Sequence, residues 1–85
     1  MNESCGSIVA FKLDGRVENA AKMQEVLTKY GCIIGARLGL HDTSKDNCAN
    51  FGIIILHCCG AEDDIKGLVA DLNSVAGICA KSMSL

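Results

Sequence analysis

His57 and Cys59 are the pair of side chains in this chain best suited to chemistry by type and spacing. On a strand, residues two apart point to the same face. An imidazole and a thiolate at that spacing supply two ligands to a soft divalent metal, and a symmetric pair of chains would double the set. Cys5 approaches the same end if the first and third strands pair antiparallel. The alternative is a packed or interface histidine beside buried thiols, since the chain has no CxxC and no HxxxH. Cys58 points away from Cys59 across the strand, so those two neighbours cannot chelate one ion.

Arg37 is the second candidate. Gly35 and Gly39 flank it on its own face, leaving the guanidinium unhindered, and its fork of five donors suits a carboxylate or a phosphate. Two other readings stay open, an ion pair across an oligomer interface and a solvated side chain. No catalytic constellation is visible. His41, Asp42, Asp46 and Cys48 fall in one polar stretch that reads as a solvated loop, and a Cys/His couple needs spatial adjacency. Gly35 and Gly39 lie within a strand with no helix after it, which excludes a phosphate loop or a dinucleotide fingerprint. The chain is expected to be non-enzymatic, and no cofactor is implied.

The elements that position these residues follow from periodicity. Ser7 to Leu13 alternates as a strand, and Asp14-Gly15 breaks it. Arg16 to Tyr30 is a helix of good helix formers ending at Gly31. Cys32 to Leu40 is a second strand, His41 to Asn50 a loop, and Phe51 to Cys59 a third strand. Glu62, Asp63 and Asp64 open a second helix with the charge sign that suits its N-terminus. Ile65, Leu68, Val69, Leu72, Val75 and Ala76 form its apolar face. Gly77 ends it, and Ile78 to Met83 is the last strand. The order is βαββαβ, the split βαβ arrangement. It is an α+β, ferredoxin-like fold: a four-stranded antiparallel sheet, order 4-1-3-2, with both helices on one face.

Composition sets the bounds. Eighty-five residues make one domain spanning 1–85, and 49% hydrophobic residues at net charge -2 are enough for a core. The longest apolar run, Ile53 to Leu56, is far short of the ~20 residues of a membrane helix. Weak acidity and only 4% aromatics argue against nucleic acid as a direct partner. Six cysteines would permit three disulfides. The opening Met1-Asn2-Glu3-Ser4 has no basic cluster and no apolar core after it. Reduced thiols in a cytoplasm are therefore expected.

Parity sorts the sheet into two faces. Val9, Phe11, Leu13, Ile34, Ala36, Leu38, Ile54, Leu56, Cys58, Ile78 and Ala80 should meet the helices. Lys12, Arg37 and Lys81 then fall on the open side with Ile8, Ala10, Ile33, Ile53, Ile55 and His57. This parity sets Arg37 near Ile53, Gly35 near Ile55, Ile33 near His57 and Cys32 opposite Cys58, and a bulge at Gly35 would break it. An open face this apolar asks for cover. The expectation is a homo-oligomer, a dimer or a tetramer, packed through its sheets or their edges.

Tyr30-Gly31 followed by Ile33-Ile34-Gly35-Ala36-Arg37-Leu38-Gly39-Leu40 resembles the second-strand signature of the small regulators of the iron-only hydrogenase system. Leu68 to Leu72 and Val75-Ala76-Gly77-Ile78-Cys79-Ala80-Lys81 resemble that family's closing helix and strand. The resemblance covers nearly the whole chain. The family is similar to the ACT domain and to the C-terminal domain of the nickel-responsive repressor. It implies an oligomeric regulatory role in which a small-molecule ligand or a protein partner is bound. It also implies a ligand site at Asp14-Gly15, the turn where ACT-type domains receive amino acids between subunits. An ordinary turn with Asp14 as N-cap is the plainer reading. The likeness to the nickel repressor lends weight to a Ni, Zn or Fe sensor using His57 and Cys59 at a subunit interface. The chain departs from the family at Asp71, Asn73 and Ala76, where a basic residue, a glycine and a proline are usual, and in the added length of Gly15-Arg16.

Overall fold

The computed structural model describes residues 4–14, 17–41 and 51–85. Strand β1 is Ser4–Asp14, helix α1 is Val17–Lys29, and β2 is Ile34–His41. Strand β3 is Phe51–Gly60, helix α2 is Glu62–Asn73, and β4 is Ile78–Ser84. The strands lie in the order β2-β3-β1-β4, each pair antiparallel, which is the 4-1-3-2 sheet read from its other edge. Gly15, and the 42–50 stretch holding Asp42, Asp46 and Cys48, lie outside the described residues, as does the side chain of Asp14.

Both helices cover one face. Met23 and Leu27 from α1 and Ile65, Leu68 and Leu72 from α2 are buried with Val9, Phe11, Leu56, Cys58, Ile78 and Ala80 in one cluster. The alternation of β1, β3 and β4 is thus read correctly by parity. Val75 joins this cluster just past α2, whereas Ala76 is exposed.

The ends of α2 have distinct causes. Glu62, Asp63 and Asp64 fill its first turn, where carboxylates face the positive helix end. At the other end Ser74 donates from its hydroxyl to the carbonyl of Asp71 at 2.7 Å. Gly77 then takes φ 83°, a left-handed conformation that L side chains resist. Asn73 ties the turn back to β4. Its amide donates to the carbonyl of Ala80 at 3.1 Å and its oxygen accepts from the Ala80 N–H at 2.7 Å.

Strand β2 departs from expectation. Residues Gly31–Ile33 form a single 3₁₀ turn, so the strand starts at Ile34 rather than Cys32. Ile34 pairs with Cys58, but Ala36 pairs with His57, so Gly35 is an extra residue in the ladder. This bulge inverts the rest of the strand. Ala36, Leu38 and Leu40 turn to the open face, and Arg37 turns to the helix side. The expected neighbours Arg37/Ile53, Gly35/Ile55, Ile33/His57 and Cys32/Cys58 give way to Arg37/Leu56, Leu38/Ile55, Ala36/His57 and Ile34/Cys58.

Candidate functional site

Arg37 sits on β2 facing α1, where its Nη1 donates to Oε1 of Gln24 at 3.0 Å. Gln24 and Arg37 are both exposed, so the guanidinium stays open to solvent while one donor is steered by the helix. This is a correction of the open-face placement, and it follows directly from the Gly35 bulge. Gln24 carried no signal in the sequence, because only the folded register sets it beside Arg37. Asp14 pairs with Phe51 through the backbone at the far end of β1.

His57 lies between two irregularities. On one side is the Gly35 bulge of β2, and on the other the β1 register shifts between Ser4 and Ser7. The ring Nε2 is 2.6 Å from the carbonyl oxygen of Cys5, inside that second irregularity. A carbonyl can only accept, so Nε2 carries a proton. Nδ1 faces Gly35, where a Cβ would approach it to 3.5 Å.

Cys59 is joined to Cys5 by a disulfide, with the two Cα atoms 3.9 Å apart. The antiparallel pairing of β1 and β3 brings these ends together, as the strand order requires. The expectation of reduced thiols throughout therefore fails at this pair. Cys58, one residue away, is fully buried on the helix side, and burial pushes its thiol above its ordinary range. Cys32 and Cys79 are free and exposed. Among the described residues, with the disulfide closed, no group of three or more His, Cys, Asp or Glu side chains is arranged to hold a metal.

The open face of the sheet reads as three rows across the strands. Ala36, His57, Ile8 and Met83 form one row, and Leu38, Ile55, Ala10 and Lys81 the next. Leu40, Ile53, Lys12 and Cys79 form the third. Leu38, Leu40, Ile53 and Met83 are the large apolar side chains it leaves exposed, at 55%, 46%, 41% and 59%. The inversion of β2 adds Leu38 and Leu40 to this face and removes Arg37, while Ile33, expected here, lies in the 3₁₀ turn and packs against the core.

Two further features were not legible in the sequence. Asp71 on α2 accepts from Lys29 Nζ and from the Tyr30 hydroxyl, each at 2.9 Å, linking the end of α1 to α2. The Lys29 and then the Tyr30 hydrogen bond hold the Asp71 carboxyl below its usual range. The same bond to Asp71 raises Lys29. A cleft of about 320 Å³ also opens at one end of the sheet beside α2, lined by Ser7, Glu62, Lys66, Ser82 and Ser84 among others.

No family model matches this chain, and no curated protein matches it. Solved structures do. An uncharacterised protein from Thermotoga maritima superposes with a TM-score of 0.85 at 21% identity, over 99% of each chain. The ACT domain of the GTP pyrophosphokinase from Chlorobium tepidum gives 0.66 at 14% identity, over 91% of this chain and 95% of that one. The fold is that of the ACT and PII-like domains. A nitrogen regulatory PII-like protein from Thiomonas intermedia K12, solved with ADP, AMP and bicarbonate, shares this ACT-like fold at a TM-score of 0.55 and 11% identity, over 99% and 96% of the two chains. Among the described residues no helix is long and apolar enough to cross a membrane.

Proposed function

We propose that this chain is a non-enzymatic regulatory domain that self-associates through its open sheet face and binds a small anionic ligand. The observation that carries the reading is the open face itself. Leu38, Leu40 and Ile53 adjoin on β2 and β3, and Met83 stands exposed at the β4 edge; such a face needs a partner, and a second copy of the same surface is the simplest one. The ACT-like fold supports the regulatory part, as the relatives it brings in are a domain of a GTP pyrophosphokinase and a nitrogen regulatory protein. The resemblance of the second strand and the closing helix to the iron-only hydrogenase regulators makes that system the proposed context. A protein partner in the same system would use the same surface.

Arg37 is the proposed anion contact; Asp14 and Gly15 are proposed as a separate ligand position, because Arg37 lies in register with Leu56 and Val9, five residues along β1 from Asp14. Gln24 accepts from Nη1 of the guanidinium at 3.0 Å, and the fork of donors suits a bidentate grip on a carboxylate or phosphate. The test is a thermal-shift screen of the purified chain against amino acids and nucleotides. A ligand that raises the melting temperature of the wild type, and no longer does so with Arg37→Ala, supports the reading. If no compound shifts the wild type, the ligand part is wrong. A second reading is favoured by the position of His57 between two bulges and beside Cys5 and Cys59: a metal-binding sensor for Ni, Zn or Fe.

A further inference from the structure

The corner formed by Cys5, His57 and Cys59 holds three soft ligands on two strands, and its present state blocks two of them. The ladder is irregular on both sides of His57, in β1 between Ser4 and Ser7 and in β2 at Gly35. Bulges re-aim side chains and end regular pairing, and they gather at functional sites. Here the β1 irregularity places the Cys5 backbone against the imidazole and its sulfur against Cys59. The neighbouring Gly6 carbonyl accepts from the Leu85 N–H at 2.7 Å, which anchors the irregular segment from its other side. Neither Cys5 nor His57 is buried, so solvent and reductant reach the site.

We infer that the Cys5–Cys59 disulfide is a redox gate on a metal site: its reduction by a dithiol creates a Cys5, His57, Cys59 centre for a soft divalent ion. The inference rests on the metal reading of His57 and Cys59 and is independent of the anion site at Arg37. The chemistry balances. One thiolate of the reductant attacks a sulfur of the disulfide, the Cys5–Cys59 bond breaks, and a mixed disulfide forms. The second thiolate of the reductant then displaces the protein sulfur, leaving a cyclic disulfide and two cysteine thiols. Binding of the ion displaces the two thiol protons to solvent. The imidazole moves its proton from Nε2 to Nδ1, on the uncrowded Gly35 side, and Nε2 exchanges the Cys5 carbonyl for the metal. Two thiolates and one imidazole suit Zn²⁺ or Co²⁺ and leave a fourth position for water, a ligand or a second chain. Cys58 takes no part, because its side chain is buried on the other face.

The test is a titration of the full chain with Co²⁺, read by its thiolate charge-transfer absorption, and with Zn²⁺ by competition against a chromogenic chelator. The protein is used either oxidised or reduced with dithiothreitol and desalted without air. The reduced chain should bind about one ion per chain, at least ~100-fold more tightly than the oxidised chain. Cys5→Ser and Cys59→Ser should each abolish the charge-transfer band seen at one equivalent, and His57→Ala should weaken Zn²⁺ binding by ~10-fold or more. Circular dichroism on each variant checks that it is folded, and a conservative His57→Gln repeats the test should the alanine variant unfold. Equal binding by oxidised and reduced chains overturns the gate. Binding that needs His57 and Cys59 but survives Cys5→Ser overturns the gate and leaves the two-ligand sensor standing. No binding by the reduced chain, or binding untouched by all three substitutions, overturns both.

Discussion

His57 donates from Nε2 to the carbonyl oxygen of Cys5 at 2.6 Å, across a break in the β1–β3 ladder. The contact keeps a proton on Nε2 and holds the Cys5 segment against the end of β3. It gives the cysteines of this chain unequal chemistry. Alkylation of the folded protein without reductant, followed by peptide mass mapping, should label Cys32 and Cys79 and spare Cys58, Cys5 and Cys59. After reduction Cys5 and Cys59 should join the labelled set, while Cys58 stays protected by burial.

The Asp71 cluster predicts a pH signature. The carboxyl of Asp71 is held below its ordinary range in the folded chain by the Lys29 and Tyr30 donors. Its contribution is therefore present above the ordinary carboxylate range and lost as pH falls through the depressed value. Lys29 is raised by the same carboxylate, so its contribution is present below the ordinary amine range and lost as pH rises through the raised value. Melting temperatures measured from acid to neutral pH should show a shallower acid limb for Asp71→Asn than for the wild type. The effect should be small, because Lys29 is largely exposed.

Gly67 lies inside α2 because Tyr30 crosses it. A Cβ at Gly67 would stand 2.9 Å from the Tyr30 hydroxyl oxygen. Gly67→Ala alone should thus fail to deliver the ~1 kcal/mol that alanine gains over glycine in a helix, since the ring must shift and strain its bond to Asp71. In a Tyr30→Phe background the same substitution should be stabilising. A double-mutant cycle by urea denaturation reads the coupling directly.

Most of the fold was legible because its signals are local and periodic. Val9 and Phe11 alternate, and Ile65, Leu68 and Leu72 recur on one helix face, whereas α2 ends at Asn73, four residues before the Gly77 expected to end it. What escaped is what depends on register. A single extra residue at Gly35 inverted five positions of β2, so Arg37 went to the helices and Leu38 and Leu40 to the open face. The glycine was visible, but whether it sits in the ladder or bulges from it is decided by pairing with β3. Asp71 with Lys29 and Tyr30 was invisible for a related reason, since partners about forty positions apart have no local signature. The meeting of Cys5 with His57 and Cys59 was readable from strand order alone, and its oxidised state was not.

Asn73 has a task at the end of α2. Its amide satisfies both backbone groups of Ala80, at 3.1 and 2.7 Å, where β4 passes the end of α2. Asn73→Ala should cost ~1–2 kcal/mol by urea denaturation, because the Ala80 N–H and carbonyl lose their partner. Asn73→Asp, which still accepts from the N–H but cannot donate, should fall between the two.

The proposed self-association of the open sheet face is the centre of the account, and light scattering on the purified chain tests it most directly. The wild type at micromolar concentration should run at two or four times the 8.9 kDa chain mass. Ile53→Lys, which puts a charge on the face opposite Leu40, should reduce it to a folded monomer. A wild type that is monomeric at that concentration, or an assembly that Ile53→Lys and Leu38→Glu leave intact, would contradict it.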